Sequence, residues 1–213
     1  MYKKKSNIVS ERIIRDFGLE WQFLDQSKIP YDEKIKIFNK YFSIFPWHYI
    51  SKNSVGFDAG CGSGRDTKFF LEKGYSVVAF DNSPNMVRHA AELTGQKVLL
   101  LSFEEIEFKE MFDGIWACAS VLHVPENNIS TVLSKFTAAL KDDGILYTSF
   151  KYGEKEQIRN GRFFADYTEE RFNQLLAAIP QLELFQYWKT SDLRLGRSDE
   201  KWLNILLKRI ISA

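Results

Sequence analysis

Asp58, Gly60, Gly62 and Gly64 stand at alternate positions in "VGFDAGCGSGRD", residues 55–66. This is a carboxylate followed by three residues that let backbone approach a ligand with no intruding β-carbon. A triphosphate site needs Lys and then Ser or Thr after its last glycine, to meet phosphate charge and magnesium; here Arg65 and Asp66 follow Gly64. A dinucleotide fingerprint needs G-x-G-x-x-G with pyrophosphate on the helix N-terminus. This chain reads G-x-G-x-G, and Asp58 would stand beside the phosphates. Like charges a few Å apart in a partly dry site repel by roughly several kcal/mol. The loop therefore favours a cation.

S-adenosylmethionine (SAM) offers an α-ammonium and a sulfonium and has no phosphate. Asp81 ends "VVAFD" on the second strand, where a carboxylate can accept from both ribose hydroxyls. NAD sites share that feature, so Asp81 argues for a nucleoside without choosing between them, and an NAD-dependent oxidoreductase is the competing reading. Asp81 also suits a turn or cap before Ser83 and Pro84.

On the acceptor side, His123 in "SVLHVP" follows the fourth strand, and an ordinary imidazole pKa would suit proton removal near neutrality. Its alternative role is packing or hydrogen bonding along the pocket. Lys151 and Tyr152 directly follow the fifth strand, at the edge where substrates enter such sheets; the charged "GEKEQIRNGRFF" beyond them reads as a loop able to close over the site or as plain surface. Asp192, Arg194 and Arg197 lie between the last two strands. Arginine forks suit carboxylate or phosphate and point to an anionic acceptor, against a salt-bridged exposed hairpin. No Asn- or Asp-Pro-Pro-aromatic run follows the fourth strand and neither cysteine follows a proline, which argues against DNA. RNA stays open, with the basic "KKK" at residues 3–5 its one hint.

The elements that position these residues alternate. "SVGFDA", "YSVVAF", "KVLLL", "DGIWACAS" and "GILYTSF" read as strands. "RDTKFFLEKG", "NMVRHAAELTG" and "NNISTVLSKFTAALKDDG" read as helices between them, with Gly74 and Gly95 as stops and Ser83-Pro84 as a start. That rhythm predicts an α/β fold, a doubly wound Rossmann-like sheet of seven strands, mostly parallel. "EERFNQLLAAI" adds a helix, and "LELFQYWKT" with "KWLNILLKRI" a closing hairpin whose last strand is antiparallel. Residues 1–50 differ in texture, crowded with aromatics (Trp21, Phe23, Phe42, Phe45, Trp47) and without glycine-punctuated strands. They read as a helical cap or lid on a domain spanning 51–213, their aromatics lining a pocket or, more commonly for such residues, filling core.

The 213 residues carry 29 basic and 28 acidic side chains, net +1, so charge asks for no polyanionic partner. Two cysteines and three histidines show no metal spacing. No apolar run is long enough for a membrane span, and no h-region follows the Lys-rich start. The expectation is a cytosolic protein with no membrane partner.

The run "VGFDAGCGSGRDTKFFLEKGYSVVAFDNSPNMV", with "FDGIWACASVLHV" and "LKDDGILYTSFKYG", resembles the class I SAM-dependent methyltransferases. It is similar to small bacterial members near the tellurite-resistance and thiopurine-type enzymes, over about residues 52–210. The resemblance implies SAM as cofactor and a small-molecule acceptor methylated at N, O or S. An RNA methyltransferase or a non-catalytic SAM-binding module are alternatives. It implies that Asp58, Gly60, Cys61, Gly62 and Gly64 lie beside the methionine moiety and Asp81 on the ribose. Asn82 and Met86 fall near the adenosine, Ser102, Phe103 and Glu104 beside adenine, and Ala119 and Ser120 under the methionine. "DDG" replaces the proline and two glycines of many relatives, with Gly144 expected to keep the turn. The "DFGLEW" segment looks more like another bacterial branch with an aromatic leader.

Overall fold

The computed structural model describes residues 50–211 except 52, 160, 193–196 and 198. The cap expected over residues 1–50 therefore lies, apart from Ile50, outside the described residues, as do Arg194 and the five N-terminal aromatics.

β1 (Val55–Ala59), β2 (Ser76–Asp81), β3 (Leu99–Leu100), β4 (Phe112–Ala117) and β5 (Leu140–Lys151) run parallel. β8 (Leu182–Ser191) and β9 (Lys201–Arg209) complete a seven-stranded sheet of order 3-2-1-4-5-9-8, with β9 antiparallel to both neighbours. The order reverses between β1 and β4, and at such a reversal the carboxyl ends of the strands open a crevice for ligands.

Local chemistry sets the helix ends. α1 (Arg65–Glu72) begins at Gly64, which is left-handed at φ 85°. α2 (Pro84–Thr94) starts from Ser83, whose Oγ accepts the Met86 N–H, and stops at left-handed Gly95. α3 (Glu126–Ala139) turns Ile129, Val132, Leu133 and Phe136 inward at helical spacing. α4 (Glu169–Leu176) is capped by Thr168, which accepts from Arg171 N at 3.3 Å.

Both sheet faces are covered, as a parallel sheet requires. One core joins Phe57, Phe80, Phe112, Phe136, Phe150 and Phe172; the Phe57 and Phe112 rings stack at 4.5 Å. Across the sheet, Phe70, Trp116, Ile145, Tyr147 and Leu206 form a second. Each such side chain contributes about 1.5–3 kcal/mol on burial.

Three details differ from the sequence expectation. The helix read through residue 144 ends at Ala139, and β5 starts at Leu140 with a register shift against β4. The left-handed residue of its turn is Asp143 (φ 62°) and not Gly144. Gly144 is needed instead for close approach, since a β-carbon there would sit 2.8 Å from Lys141 O. The segment read as a charged loop folds into a two-stranded hairpin, β6 (Glu156–Arg159) and β7 (Arg162–Ala165). After β4 has ended, this hairpin's exit joins β5: Tyr167 N donates to Lys151 O at 3.0 Å. The strand signal was diluted there by the charges of Glu154, Lys155, Glu156, Arg159 and Arg162.

Candidate active site

The glycine loop leaves β1 and turns under the end of β2. Gly60 N and Cys61 N both donate to Phe80 O, at 3.0 and 2.9 Å. Gly60 has φ 76°, and a β-carbon on it would lie 2.6 Å from Ser120 Cβ, so the loop seats against β4's exit at a depth that glycine alone permits. Gly62, at φ 55°, has no atom of the other described residues within 4 Å of its would-be β-carbon. One glycine of the loop is closed by protein and the next lies open.

Asp58 is buried, and Thr67 of α1 donates its hydroxyl to Oδ2 at 2.5 Å. Burial, with the Asp66 carboxylate adding repulsion, pushes its pKa up to about 8. Asp66 is itself tied down: Arg65 Nε donates to Oδ1 at 2.6 Å and Trp116 Nε1 to Oδ2 at 2.9 Å, which fastens the start of α1 to β4. Thr67 and Asp66 were not singled out from sequence. The available signal was their place in the first turn of the helix following the loop, one turn above the Asp58 carboxyl.

Asp81 caps the other side of the crevice. Its Oδ2 accepts from Gly62 N at 3.0 Å and its Oδ1 from Ser83 N at 2.9 Å. The turn role weighed for Asp81 is thus real, and it holds the glycine loop as well. The carboxylate has about four acceptor sites, so it keeps capacity for an outside donor. Burial raises the Asp81 pKa, against the backbone N–H groups of Ser83, Gly62 and Asn82, which lower it. Asn82 is exposed and Met86 fully buried. The Cys61 thiol, half-buried between Asp58 and Asp81, is driven far above its ordinary pKa by burial and then by those carboxylates, so it stays a thiol.

Beyond β3, Ser102 N donates to Glu105 Oε2 at 2.8 Å and sets a single 3-10 turn, Phe103–Glu105. The Phe103 ring packs edge-on against Phe80 at 5.4 Å and Phe136 at 5.9 Å, with its Cζ 3.4 Å from the would-be Gly60 β-carbon; Glu104 is exposed. At β4's exit Ala119 takes φ 50°, and Ser120 Oγ donates to Ala59 O at 2.7 Å. The sequence-predicted cofactor residues thus converge on the carboxyl ends of β1 to β4.

The acceptor-side residues disperse more. His123 lies in the turn Val121–His123 with Nδ1 2.7 Å from Phe163 O and its ring edge-on to Phe164 at 4.8 Å. A carbonyl only accepts, so Nδ1 carries the proton. Burial lowers the His123 pKa to about 4, so the imidazole is neutral near pH 7, contrary to the titration near neutrality that an ordinary histidine would give. The folded state binds this proton less tightly than the unfolded chain, so His123 adds stability as pH rises from about 4 to about 6.5, roughly 3 kcal/mol in all. His123→Asn, whose Nδ2 keeps a donor in place of Nδ1 but does not titrate, is expected to flatten that part of the denaturation-midpoint profile. An unchanged slope contradicts the assignment.

Lys151 is buried and engaged. Its ammonium meets Asp192 Oδ2 at 2.8 Å and Glu200 Oε2, over the Trp202 ring at 4.2 Å, and Trp202 Nε1 also donates to Asp192. Arg197 is exposed and pairs with Glu200 at 3.7 Å. This latch holds the β8–β9 connection to the end of β5, so the salt-bridged reading of that hairpin is the one the geometry favours. Tyr152, on the opposite face of β5, sits under Lys189 at 4.1 Å and bonds to Glu169 and Lys189.

The residues present fit a cationic nucleoside. They offer a buried carboxylate that lacks a cation partner at bonding distance among the described residues, a second carboxylate with spare acceptor capacity, and open space at the β-carbon position of Gly62. Residues 57–144 match the methyltransferase domain family. An uncharacterized methyltransferase of Geobacillus sp. (strain WCH70) is 26% identical over 180 residues, 82% of each chain. A SAM-dependent methyltransferase structure from Methanosarcina mazei aligns with TM-score 0.69 at 16% identity, over 79% of this chain and 99% of that one. The 1,6-didemethyltoxoflavin-N1-methyltransferase of Burkholderia thailandensis, solved with 1,6-didemethyltoxoflavin and S-adenosylhomocysteine, aligns with TM-score 0.65 at 20% identity, over 91% and 88% of the two chains.

Proposed function

We propose that the chain is a methyltransferase of the class I, SAM-dependent architecture and that it methylates a small-molecule acceptor at nitrogen, oxygen or sulfur by in-line displacement. The observation that carries the cofactor half is Asp58: a buried carboxylate, destabilised as an anion, set beside a glycine loop with open space at the Gly62 β-carbon position. An ammonium brought there relieves the carboxylate, whereas a phosphate would aggravate it. Asp81 would hold the ribose hydroxyls, the Gly60–Gly64 backbone, Ala119 and Ser120 the methionine part, and Ser102, Phe103 and Glu104 the adenine edge.

When bound, SAM supplies a methyl group on a positively charged sulfur with a neutral thioether as leaving group. The protein's own task is then to hold an acceptor lone pair in line and to keep water out. His123, neutral with Nδ1–H committed to Phe163, pins the β6–β7 hairpin beside β4's exit, and in this reading it shapes the acceptor pocket more than it removes a proton. Tyr152 and the Lys151 latch would frame the same edge. The 1,6-didemethyltoxoflavin-N1-methyltransferase, solved with 1,6-didemethyltoxoflavin bound, aligns over 91% of this chain, which supports a small molecule over RNA.

The test is to incubate the protein with methyl-labelled SAM and cell extract and to separate RNA, protein and small molecules. Label is expected in the small-molecule fraction. Label in RNA would replace the acceptor class, and SAM binding with no transfer to any fraction would make the chain a binding module.

A further inference from the structure

Ala119 is a left-handed residue with a β-carbon, at the place where β4 turns into the crevice. That conformation costs an L-residue about 1 kcal/mol and persists only where surroundings hold it. Its N–H donates to Ser149 Oγ on β5 at 2.9 Å, and Ser149 is completely buried. Ser149 and Tyr147 point to the same face of β5, and the Ser149 hydroxyl lies against that of Tyr147. Tyr147 Oη in turn donates to Asn204 Oδ1 on β9 at 2.8 Å. The Asn204 amide nitrogen donates to Trp188 O at 3.3 Å and Thr190 Oγ1 at 3.1 Å on β8.

The direction of every proton in this series follows from its ends. Ala119 N–H can only donate, so Ser149 Oγ accepts and its own proton goes to Tyr147. Trp188 O can only accept, so the Asn204 NH2 faces β8 and its oxygen faces Tyr147, which donates. The result is one directed chain, Ala119 N–H to Ser149 to Tyr147 to Asn204 to β8, crossing the sheet from the crevice to its edge strand. The Cys118 thiol, on the residue before Ala119, also lies against the Tyr147 hydroxyl, and Tyr147 is stacked on Trp116 at 4.0 Å. Packing alone would have been met by Ala at 149 and Phe at 147.

We propose that Ser149 is a positioning residue for cofactor binding: through the Ala119 N–H, and backed by Tyr147 and Asn204, it holds the turn after β4 in the left-handed geometry that presents backbone to the methionine end of SAM. The inference rests on the reading of the crevice as a SAM site. Buried hydrogen-bond chains of this kind rigidify what they join, because each member left unpaired would be costly.

The test is calorimetric titration of the full chain with SAM, alongside thermal denaturation. Ser149→Ala is expected to weaken SAM about tenfold, and Tyr147→Phe, one link further away, about threefold. Adding Ala119→Gly to Ser149→Ala is expected to recover most of the affinity, since glycine takes φ 50° unaided. A purely structural Ser149 would lower the melting temperature, and glycine at 119 would not restore binding. SAM affinity in Ser149→Ala equal to wild type, or a loss that Ala119→Gly leaves untouched, overturns the proposal. Wild-type protein that binds no SAM overturns the site reading beneath it as well, so the two failures are told apart by the wild-type titration. Should Tyr147→Phe fold poorly, Ser149→Cys serves in its place, keeping the shape with a weaker acceptor and an expected loss between wild type and Ser149→Ala.

Discussion

Gly64→Ala is expected to lower the melting temperature by about 10 °C, several times the effect of Gly74→Ala. Both glycines are left-handed, at φ 85° and 87°, so alanine incurs the same backbone cost of about 1 kcal/mol at either site. They differ in what the new methyl meets. At Gly64 it would lie 2.8 Å from Ala90 Cα and 2.9 Å from Ala90 Cβ, on the neighbouring helix α2, and backbone cannot step aside as a flexible side chain can. At Gly74 nothing among the described residues lies within 4 Å. Overpacking adds about 1–3 kcal/mol, and each kcal/mol moves the midpoint of a domain this size by about 2–4 °C. Equal shifts for the two variants would show that α1 and α2 do not approach each other through Gly64.

Asp81→Ala is expected to weaken SAM about 100-fold while leaving the protein folded. The carboxylate would lose the ribose hydroxyls, and the Gly62 and Ser83 amides would lose their acceptor, so the loop that holds the methionine part would relax at the same time. Two lost charge-assisted bonds of about 1.5 kcal/mol each give about that factor. Asp81→Asn, which keeps one acceptor oxygen, should fall between. Titration of the three proteins with SAM measures it, and unchanged affinity in Asp81→Ala would remove Asp81 from the ribose.

The local geometry of the crevice around the glycine loop was legible in sequence because its determinants are local. Four residues at alternate positions and a carboxylate at a strand end define a loop wherever strand and helix flank it, and Ser83, Pro84 and Gly95 mark their helix by the chemistry of their own side chains. The acceptor half depends on contacts between residues far apart in the chain. Lys151 looked like an edge residue open to substrate, and only the return of β9 brings Glu200 and Trp202 onto it. His123 looked titratable because sequence does not reveal that Phe163 and Phe164 close over it. Ser149 sat unnoticed in "GILYTSF" since a serine in a strand carries no signal until a left-handed residue on the next strand needs its oxygen. Asp143 took the left-handed position expected near Gly144 because the glycine was needed for space and aspartate tolerates that backbone.

The most direct test of the account is a pair of calorimetric titrations at neutral pH, one with SAM and one with NAD, each repeated in buffers of different ionisation heat. SAM is expected to bind and to expel protons, because an ammonium beside Asp58 returns its raised pKa toward the ordinary carboxylate range, and affinity should climb with pH until about pH 8. NAD is expected not to bind. Measurable NAD binding with none for SAM, or SAM binding that releases no proton and ignores pH, would contradict the claim that a buried carboxylate beside the glycine loop selects the cofactor.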